Sequence, residues 1–303
     1  MSRLFCIDAS IYIFRAYFSM PDRWFNEDGC SLNVVVGYTR FLVNFIREAC
    51  PHYLMAAFDE SLGSGFRHSL YADYKSNRAL PDEALAFQLM ACRRITELMG
   101  IKSYACANYE ADDYIASAAR LARRDQLALT VVSRDKDLVQ VMIAEHDEWC
   151  DYAGAKRLRK AQWEGAQQMQ VGQMADYLAL MGDSADAIPG VPGIGKLGAS
   201  RLLAAYGDID GIYRNLEALP ESGIRSAKRI QQALMEHREQ LLLARQLTGL
   251  YDRVIPDTNS ELFSYGLFTK GQSTQGLADY LQEIGCGLHW TQTIVKDFEA
   301  IAP

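Results

Sequence analysis

"LALTVVSRD" (127–135) decides the fold. A short apolar, β-branched run that ends on an acid reads as a strand buried inside a parallel sheet. "LFCID" (4–8), "YLMAAFD" (53–59) and "IKSYACA" (101–107) repeat the pattern, with helix-like segments between them. An aromatic-rich helix is expected around 10–18. "GYTRFLVNFIREA" (37–49) has helical spacing, "LAFQLMACRRITELMG" (85–100) is amphipathic and stops at Gly100, and "YEADDYIASAA" (109–119) opens a further helix. This alternation predicts an α/β fold with a mainly parallel central sheet flanked by helices.

From about residue 165 the texture becomes helical, and a Gly/Pro-rich hinge, "GDSADAIPGVPGIGKLGAS" (182–200), lies between "MADYLALM" and "RLLAAYG". We therefore expect an α/β core over 1–165, a helical region over 166–250, and a segment over 251–303 to which no role is assigned. That last segment, from "PDTNSELFSYG" onward, mixes turn residues with a helix candidate at 277–284. No internal repeat or low-complexity tract is evident.

The chain has 303 residues, 49% hydrophobic and 23% charged, enough for one large or two moderate domains with a sizeable core. No run approaches the roughly 18 apolar residues of a membrane span, and "MSRLFCIDAS" lacks a signal-peptide pattern. The seven cysteines are odd in number and scattered, without a CxxC pair. They fit reduced residues of a cytoplasmic protein, not a disulfide frame or zinc site. The net charge of −7 argues against a generally basic nucleic-acid binder.

The acids, however, share one address. Three strands run into Asp8, Asp59 and Asp135, and the fourth into Glu110, Asp112 and Asp113. Taken alone, that trio fits a helix N-terminus, where acids cap free N–H groups and suit the macrodipole. In a parallel sheet, though, the C-terminal strand ends form one ligand-binding edge. Asp137 lies two residues past Asp135, and Asp183 and Asp186 stand beside the hinge. Nine carboxylates in one cleft require cations. Oxygen-only ligands select hard ions such as Mg²⁺ or Mn²⁺. Nine suit two ions, the usual device for in-line attack on a phosphodiester. Without these nine, 29 acids face 31 basic residues, so the acidic total conceals a mildly basic remainder.

"GFRHSLYADYKSNRALPDEA" (65–84) leaves the same edge with Arg67, Lys75 and Arg78 interleaved by Tyr71 and Tyr74. Lys and Arg attract phosphate, and a tyrosine face can stack on an unpaired base. "GVPGIGKLGAS" (190–200) fits a helix–hairpin–helix. Its glycines allow a tight turn whose N–H groups, with Lys196, approach a phosphate.

Together "IDAS", "AAFDE", "FRHSLYADYKSNR", "YEADDYIAS", "VVSRDKDL" and "GDSADAIPGVPGIGKLGA" resemble the structure-specific 5′-nuclease (flap endonuclease) family. They are most similar to bacterial and phage members and to the 5′→3′ exonuclease domain of DNA polymerase I. The motifs run in family order from residue 4 to about 250. No polymerase domain follows in the sequence, so a stand-alone enzyme is expected.

The resemblance implies a PIN-like nuclease core with a helical arch around 67–90 and a helix–hairpin–helix that binds DNA. One metal would be held by Asp8, Asp59, Glu110 and Asp112, partly through water. The second would be held by Asp113, Asp135, Asp137, Asp183 and Asp186. Lys75 and Arg78 would polarise the scissile phosphate, acting in catalysis with Asp59 and Asp112. Tyr74 would stack near the displaced nucleotide, and Arg67 would contact a further phosphate. Gly190, Gly193, Ile194, Gly195 and Lys196 would grip the duplex and hold K⁺ through backbone oxygens.

The implied activity is Mg²⁺-dependent (or Mn²⁺-dependent) hydrolysis near single-strand/duplex junctions, in DNA replication and repair. The partners would be DNA bearing a 5′ flap, nick or 5′ end, with RNA primers as further candidates. No membrane is expected, and a monomer is. Ala185 and Ala187 stand where polar residues are commoner, though neither is a ligand position. The rival readings are a PIN-like ribonuclease, which would have fewer acids and no helix–hairpin–helix, and an inactive DNA-binding scaffold with vestigial acids.

Overall fold

Strands β1 (Arg3–Asp8), β2 (Tyr53–Ala57), β3 (Lys102–Tyr104), β4 (Ala128–Val132), β5 (Glu148–Asp151) and β6 (Lys156–Arg159) form one sheet. Its order is β3-β2-β1-β4-β5-β6 in the computed structural model, which describes residues 2–61, 63–78, 81–256, 266, 268 and 274–301. All neighbours are parallel except β5 and β6. The register pairs Asp8 with Ala57 and Ile7 with Val132, so β1, β2 and β4 end level with one another. Four expected strands are present. The β5–β6 hairpin was not foreseen, because "EWCD" and "KRLR" are short and charged. Buried Glu148 is tolerated there because Arg3, Arg157 and Arg159 surround it.

Between the strands lie α1 (Ala9–Ser19), α2 (Asn33–Ala49), the single turn α3 (Phe66–Leu70), α4 (Glu83–Leu98) and α5 (Ala111–Arg124). Alternation along the strands sorts side chains to two faces. Leu4, Cys6, Met55, Leu129 and Val131 meet α5, whereas Phe5, Ile7, Leu54, Ala56 and Val132 meet α1, α2 and α4. Burial on both faces explains why the strand sequences read as continuous apolar runs. α2 begins earlier than its motif suggested: Val34, Val35 and Val36 are weak helix formers, but all three are buried. α4 starts where the Asp82 carboxylate accepts the Leu85 N–H at 2.8 Å, and the chain turns at Gly100 with φ +80°.

Beyond the sheet come α6 (Lys160–Gln167), α7 (Met174–Met181), α8 (Lys196–Tyr206), α9 (Ile209–Arg214), α10 (Ala227–Glu236) and α11 (Arg238–Thr248). α7 to α11 close over a core of Leu180, Val191, Ile194, Leu202, Leu203 and Leu234, whereas α6 buries Trp163 among the residues on the α5 side of the sheet. Then α12 (Thr274–Glu283) and α13 (Leu288–Glu299) return to the sheet, burying Leu277, Leu281, Ile294 and Phe298 with the residues of α2 and α4. α12 covers the helix candidate at 277–284, and α13 was not foreseen. Residues 79 and 80 of the expected arch, and most of the turn-rich stretch after Pro256, lie outside the described residues. Among the described residues no helix is long and apolar enough to cross a membrane.

The hinge closes on a glycine pair. Gly182 has φ +84°, and a Cβ on Gly190 would be driven into the backbone of Met181 and Gly182. The Val191 N–H donates to the Leu180 carbonyl at 2.9 Å across this contact. Gly190→Ala should therefore cost about 3 kcal/mol in urea denaturation. Gly165→Ala, in α6 with open space at its Cβ, should instead stabilise by about 0.5–1 kcal/mol.

Candidate metal centre

The level strand ends deliver Asp8, Asp59 and Asp135 to one crevice, and the first turn of α5 adds Asp112. Each acid is held by short-range contacts. Asp8 caps α1, accepting the Ile11 N–H at 3.4 Å and the Ser133 hydroxyl at 2.8 Å. The same Ser133 oxygen accepts the Asp135 N–H at 2.9 Å, so one buried serine sets two acids. The Asp59 carboxylate accepts the Ala111 N–H at 3.0 Å, and its own N–H donates to Ser10 at 2.9 Å. Asp135 accepts the Asp137 N–H at 2.8 Å, and its carbonyl accepts the Trp149 indole N–H at 2.7 Å. Ser10, Ser133 and Trp149 were not singled out from the sequence, although both serines lie inside the acidic motifs.

Crowding and burial make these acids reluctant to ionise. Burial, then Ser133 acting in the opposite sense, then Asp59 and Asp135 leave Asp8 at a pKa of about 7. Asp112 is pushed well above the carboxylate range by burial and by Asp135, Asp8, Asp59 and Glu110. Asp135 is also raised, chiefly by burial, and so is Asp59 despite the nearby Lys75. Burial, Asp135, Asp183 and Asp186 bring Asp137 to about 8.

A cleft of about 890 Å³ runs past Asp135, Asp137, Asp183 and Asp186, with Arg15, Arg134 and Lys136 on its rim. These three basic residues were also missed, although two of them flank Asp135 in the sequence. A second cleft of about 440 Å³, which includes Asp59 and Lys75, lies on the other side of Arg78.

Two predicted acids pair with Lys75 or Arg78. Glu110 accepts from Lys75 Nζ at 2.7 Å and from the Tyr74 hydroxyl at 3.0 Å. Burial raises its pKa, but Lys75 and Arg67 outweigh that and the net direction is down. Asp186 pairs with Arg78 and lies 3.9 Å from Lys75 Nζ. Lys75 holds φ +53°, and its N–H donates to the Asp186 carbonyl at 2.9 Å, which ties the basic segment to the hinge. Among the described residues no three acids close into a finished coordination sphere. The donor set is oxygen-only, and its raised pKa values are an unmet demand for positive charge. It therefore fits a hard divalent ion.

Residues 3–169 match the family model "5′-3′ exonuclease, N-terminal resolvase-like domain", and residues 169–268 match "5′-3′ exonuclease, C-terminal SAM fold". The chain belongs to the 5′–3′ exonuclease family. A 5′-3′ exonuclease of Aquifex aeolicus is 29% identical over 284 residues, covering 94% of this chain and 92% of that one. DNA polymerase I of Streptococcus pneumoniae is 31% identical over 294 residues, covering 93% of this chain. The chain spans about a third of the length of such polymerase relatives, 32% in that case.

In fold it is similar to the bacteriophage T5 flap endonuclease crystallised with DNA and metal ions. The TM-score is 0.66 at 18% identity, covering 99% of each chain. It is also similar to flap endonuclease-1 from Methanococcus jannaschii, with a TM-score of 0.61 at 16% identity, covering 99% of this chain and 92% of that one.

Three residues of this exonuclease-family chain are not free for the parts that the resemblance gave them. Asp113 is fully buried, and its two oxygens accept from Arg67 Nη1 and Nη2, both at 2.7 Å, and from the N–H groups of Glu110 and Tyr251. Its acceptor positions are filled, so it is not a metal ligand here. Arg67 is only 3% exposed and also donates to the Leu247 and Gly249 carbonyls. It joins α3, α5 and the end of α11 and has no face left for a phosphate. Tyr74 is 3% exposed, packed edge-on against His68, with its hydroxyl also reaching Asp186 at 3.2 Å; its ring is core and not a stacking platform.

The hairpin follows Asp183 and Asp186 along the chain. Gly193 (φ +84°), Gly195 and Lys196 are exposed, whereas Ile194 is a buried anchor. Gly190 serves the backbone contact with Gly182, and its carbonyl accepts from Gln240 at 2.8 Å.

Arg67→Met should lower stability by about 3–5 kcal/mol, because it strands a buried carboxylate. Adding Asp113→Asn should recover much of that loss in the same denaturation assay. A phosphate contact would instead show weaker DNA binding at unchanged stability.

The raised acids also set a pH dependence in EDTA. The folded Asp137 carboxyl stays neutral up to about 8, whereas in the unfolded chain it ionises from about 3.8. Its contribution to stability is therefore full below that lower value and is lost as pH rises through 8. The Tm should fall between about pH 4 and 8, and Asp137→Asn should flatten the slope.

Proposed function

We propose that the chain is a divalent-cation-dependent 5′-nuclease that hydrolyses DNA near single-strand/duplex junctions, at 5′ flaps, nicks or 5′ ends. The observation that carries this reading is the convergence of buried Asp8 with half-buried Asp59, Asp112, Asp135 and Asp137, mutually repelling, beside Lys75 and Arg78. Family membership supports it, as do the fold relatives crystallised with metal ions and DNA. Two Mg²⁺ or Mn²⁺ ions, when bound, would supply an activated water and offset charge on the leaving oxygen.

The chain's own residues supply the rest. Asp8, Asp59, Glu110 and Asp112 would hold one ion, and Asp135, Asp137, Asp183 and Asp186 the other. Ser10, Ser133 and the α5 N-terminus keep the acids from swinging apart. Lys75, pre-charged by Glu110, Asp59 and Asp186 even though burial opposes it, offers its ammonium to the phosphoryl group. Arg78, with its side chain 52% exposed, guides the phosphate between the two clefts. Lys196 and the exposed glycine turn would hold the duplex backbone, with K⁺ bound through backbone oxygens of the hairpin. RNA primers as substrates and a monomeric state belong to the same proposal.

Asp59→Ala and Asp135→Ala should each lower the single-turnover cleavage of a 5′-flap duplex in Mg²⁺ by about three orders of magnitude or more. Circular dichroism should show the fold retained. Lys75→Ala should lower the rate while leaving duplex affinity largely intact. Unchanged Mg²⁺-dependent cleavage in both aspartate variants would refute the metal assignment, and preferred cleavage of single-stranded RNA would favour a ribonuclease.

A further inference from the structure

A second turn in the helical region mirrors the hairpin, though the sequence shows no repeat. Gly223 takes φ +75°, as Gly193 takes φ +84°, and in each case an isoleucine follows. Ile194 and Ile224 pack on the same core. A helix then begins within three residues, α8 at Lys196 and α10 at Ala227. The likeness lies in backbone geometry, and it is concealed because "GIGKLG" and "GIRSAK" share only two residues in register.

The two turns are neighbours. Arg229 Nε, on α10, lies 3.8 Å from where a Cβ on Gly193 would sit. The first turn and α8 carry Lys196 and Arg201; the second turn and α10 carry Arg225, Lys228 and Arg229. All five are exposed, and among the described residues none has an ion-pair partner. By contrast Arg214 pairs with Asp208, Arg245 pairs with Asp176, and Arg238 lies over the Tyr213 ring. Neither 190–207 nor 222–232 contains an acid. Unpaired cations clustered on a chain of net charge −7 need an explanation beyond solubility.

We propose that the 223–229 turn is a second contact to the phosphate backbone of duplex DNA, continuous with the 190–196 hairpin. Guanidinium and ammonium groups without carboxylate partners suit repeating phosphates, and exposed charged side chains suit binding that ignores base sequence. A duplex is the fitting occupant because no exposed aromatic on either turn offers a stack for single-stranded bases. This surface would let the duplex arm be held at two points while the junction lies at the acids. The inference rests on the nuclease reading for the identity of its ligand.

The test measures binding of full-length protein to a fluorescent blunt DNA duplex, in Ca²⁺, across a salt series. The triple variant Arg225→Ala, Lys228→Ala, Arg229→Ala should bind about tenfold or more weakly at 0.15 M salt. The slope of log K against log salt should shrink by about 2 to 3. Arg229→Gln alone should shrink it by about 1, which keeps the test decisive if the triple variant fails to fold. Arg94→Ala, at an exposed position of α4, should leave the slope unchanged. An unchanged slope in both turn variants overturns the proposal, as does an equal loss on a single-stranded oligonucleotide. A wild-type protein that neither binds the duplex nor cleaves DNA would instead overturn the nuclease reading itself.

Discussion

Carboxylates crowded together at one edge of a parallel sheet are the constraint around which this molecule is organised. Each acid alone would relax by turning toward solvent. Here Asp8, Asp59, Asp112 and Asp135 are held where burial and one another's charge oppose ionisation. The parallel register makes the crowding unavoidable, because β1, β2 and β4 end level and their following residues converge. Opposing free energy of this kind persists only where the surroundings over-determine the geometry.

Those surroundings are small polar groups and one buried ion pair. Ser133 bridges Asp8 and Asp135, while Ser10 and the Ala111 N–H fix Asp59. The Arg67–Asp113 pair anchors the first turn of α5 to α3 and to the strap following α11, so Glu110 and Asp112 emerge from a helix end that does not fray. Lys75 and Arg78 neutralise part of the charge from outside, against Glu110 and Asp186. The site thus combines fixed acids with cations on a segment that leaves the same edge, an arrangement suited to admitting phosphate.

The helical region answers a different demand. Its buried isoleucines and its Gly182–Gly190 contact shape turns whose polar residues are exposed. In the proposed reading, holding a duplex and cutting near its junction are separate tasks, and the Asp183–Ile188 segment, closed by its own backbone bridge, links the acids to the helical region.

Much was legible in the residues alone. Apolar runs ending in acids gave the strands and their common edge, since a two-sided buried strand has few other ways to appear. The chemistry of oxygen-only ligands followed from composition. What only the tertiary structure decided is which acid of a clustered set faces which way. Asp112 and Asp113 are sequence neighbours, yet a helix turns successive side chains about 100° apart, so one joins the crevice and the other a buried arginine. Arg67 and Tyr74 read as ligand-facing because basic and aromatic residues usually are, and burial reversed both. The β5–β6 hairpin and the second basic turn were invisible for the same reason. Their residues are short-range and polar, and long-range packing, which no local pattern encodes, gives them their places.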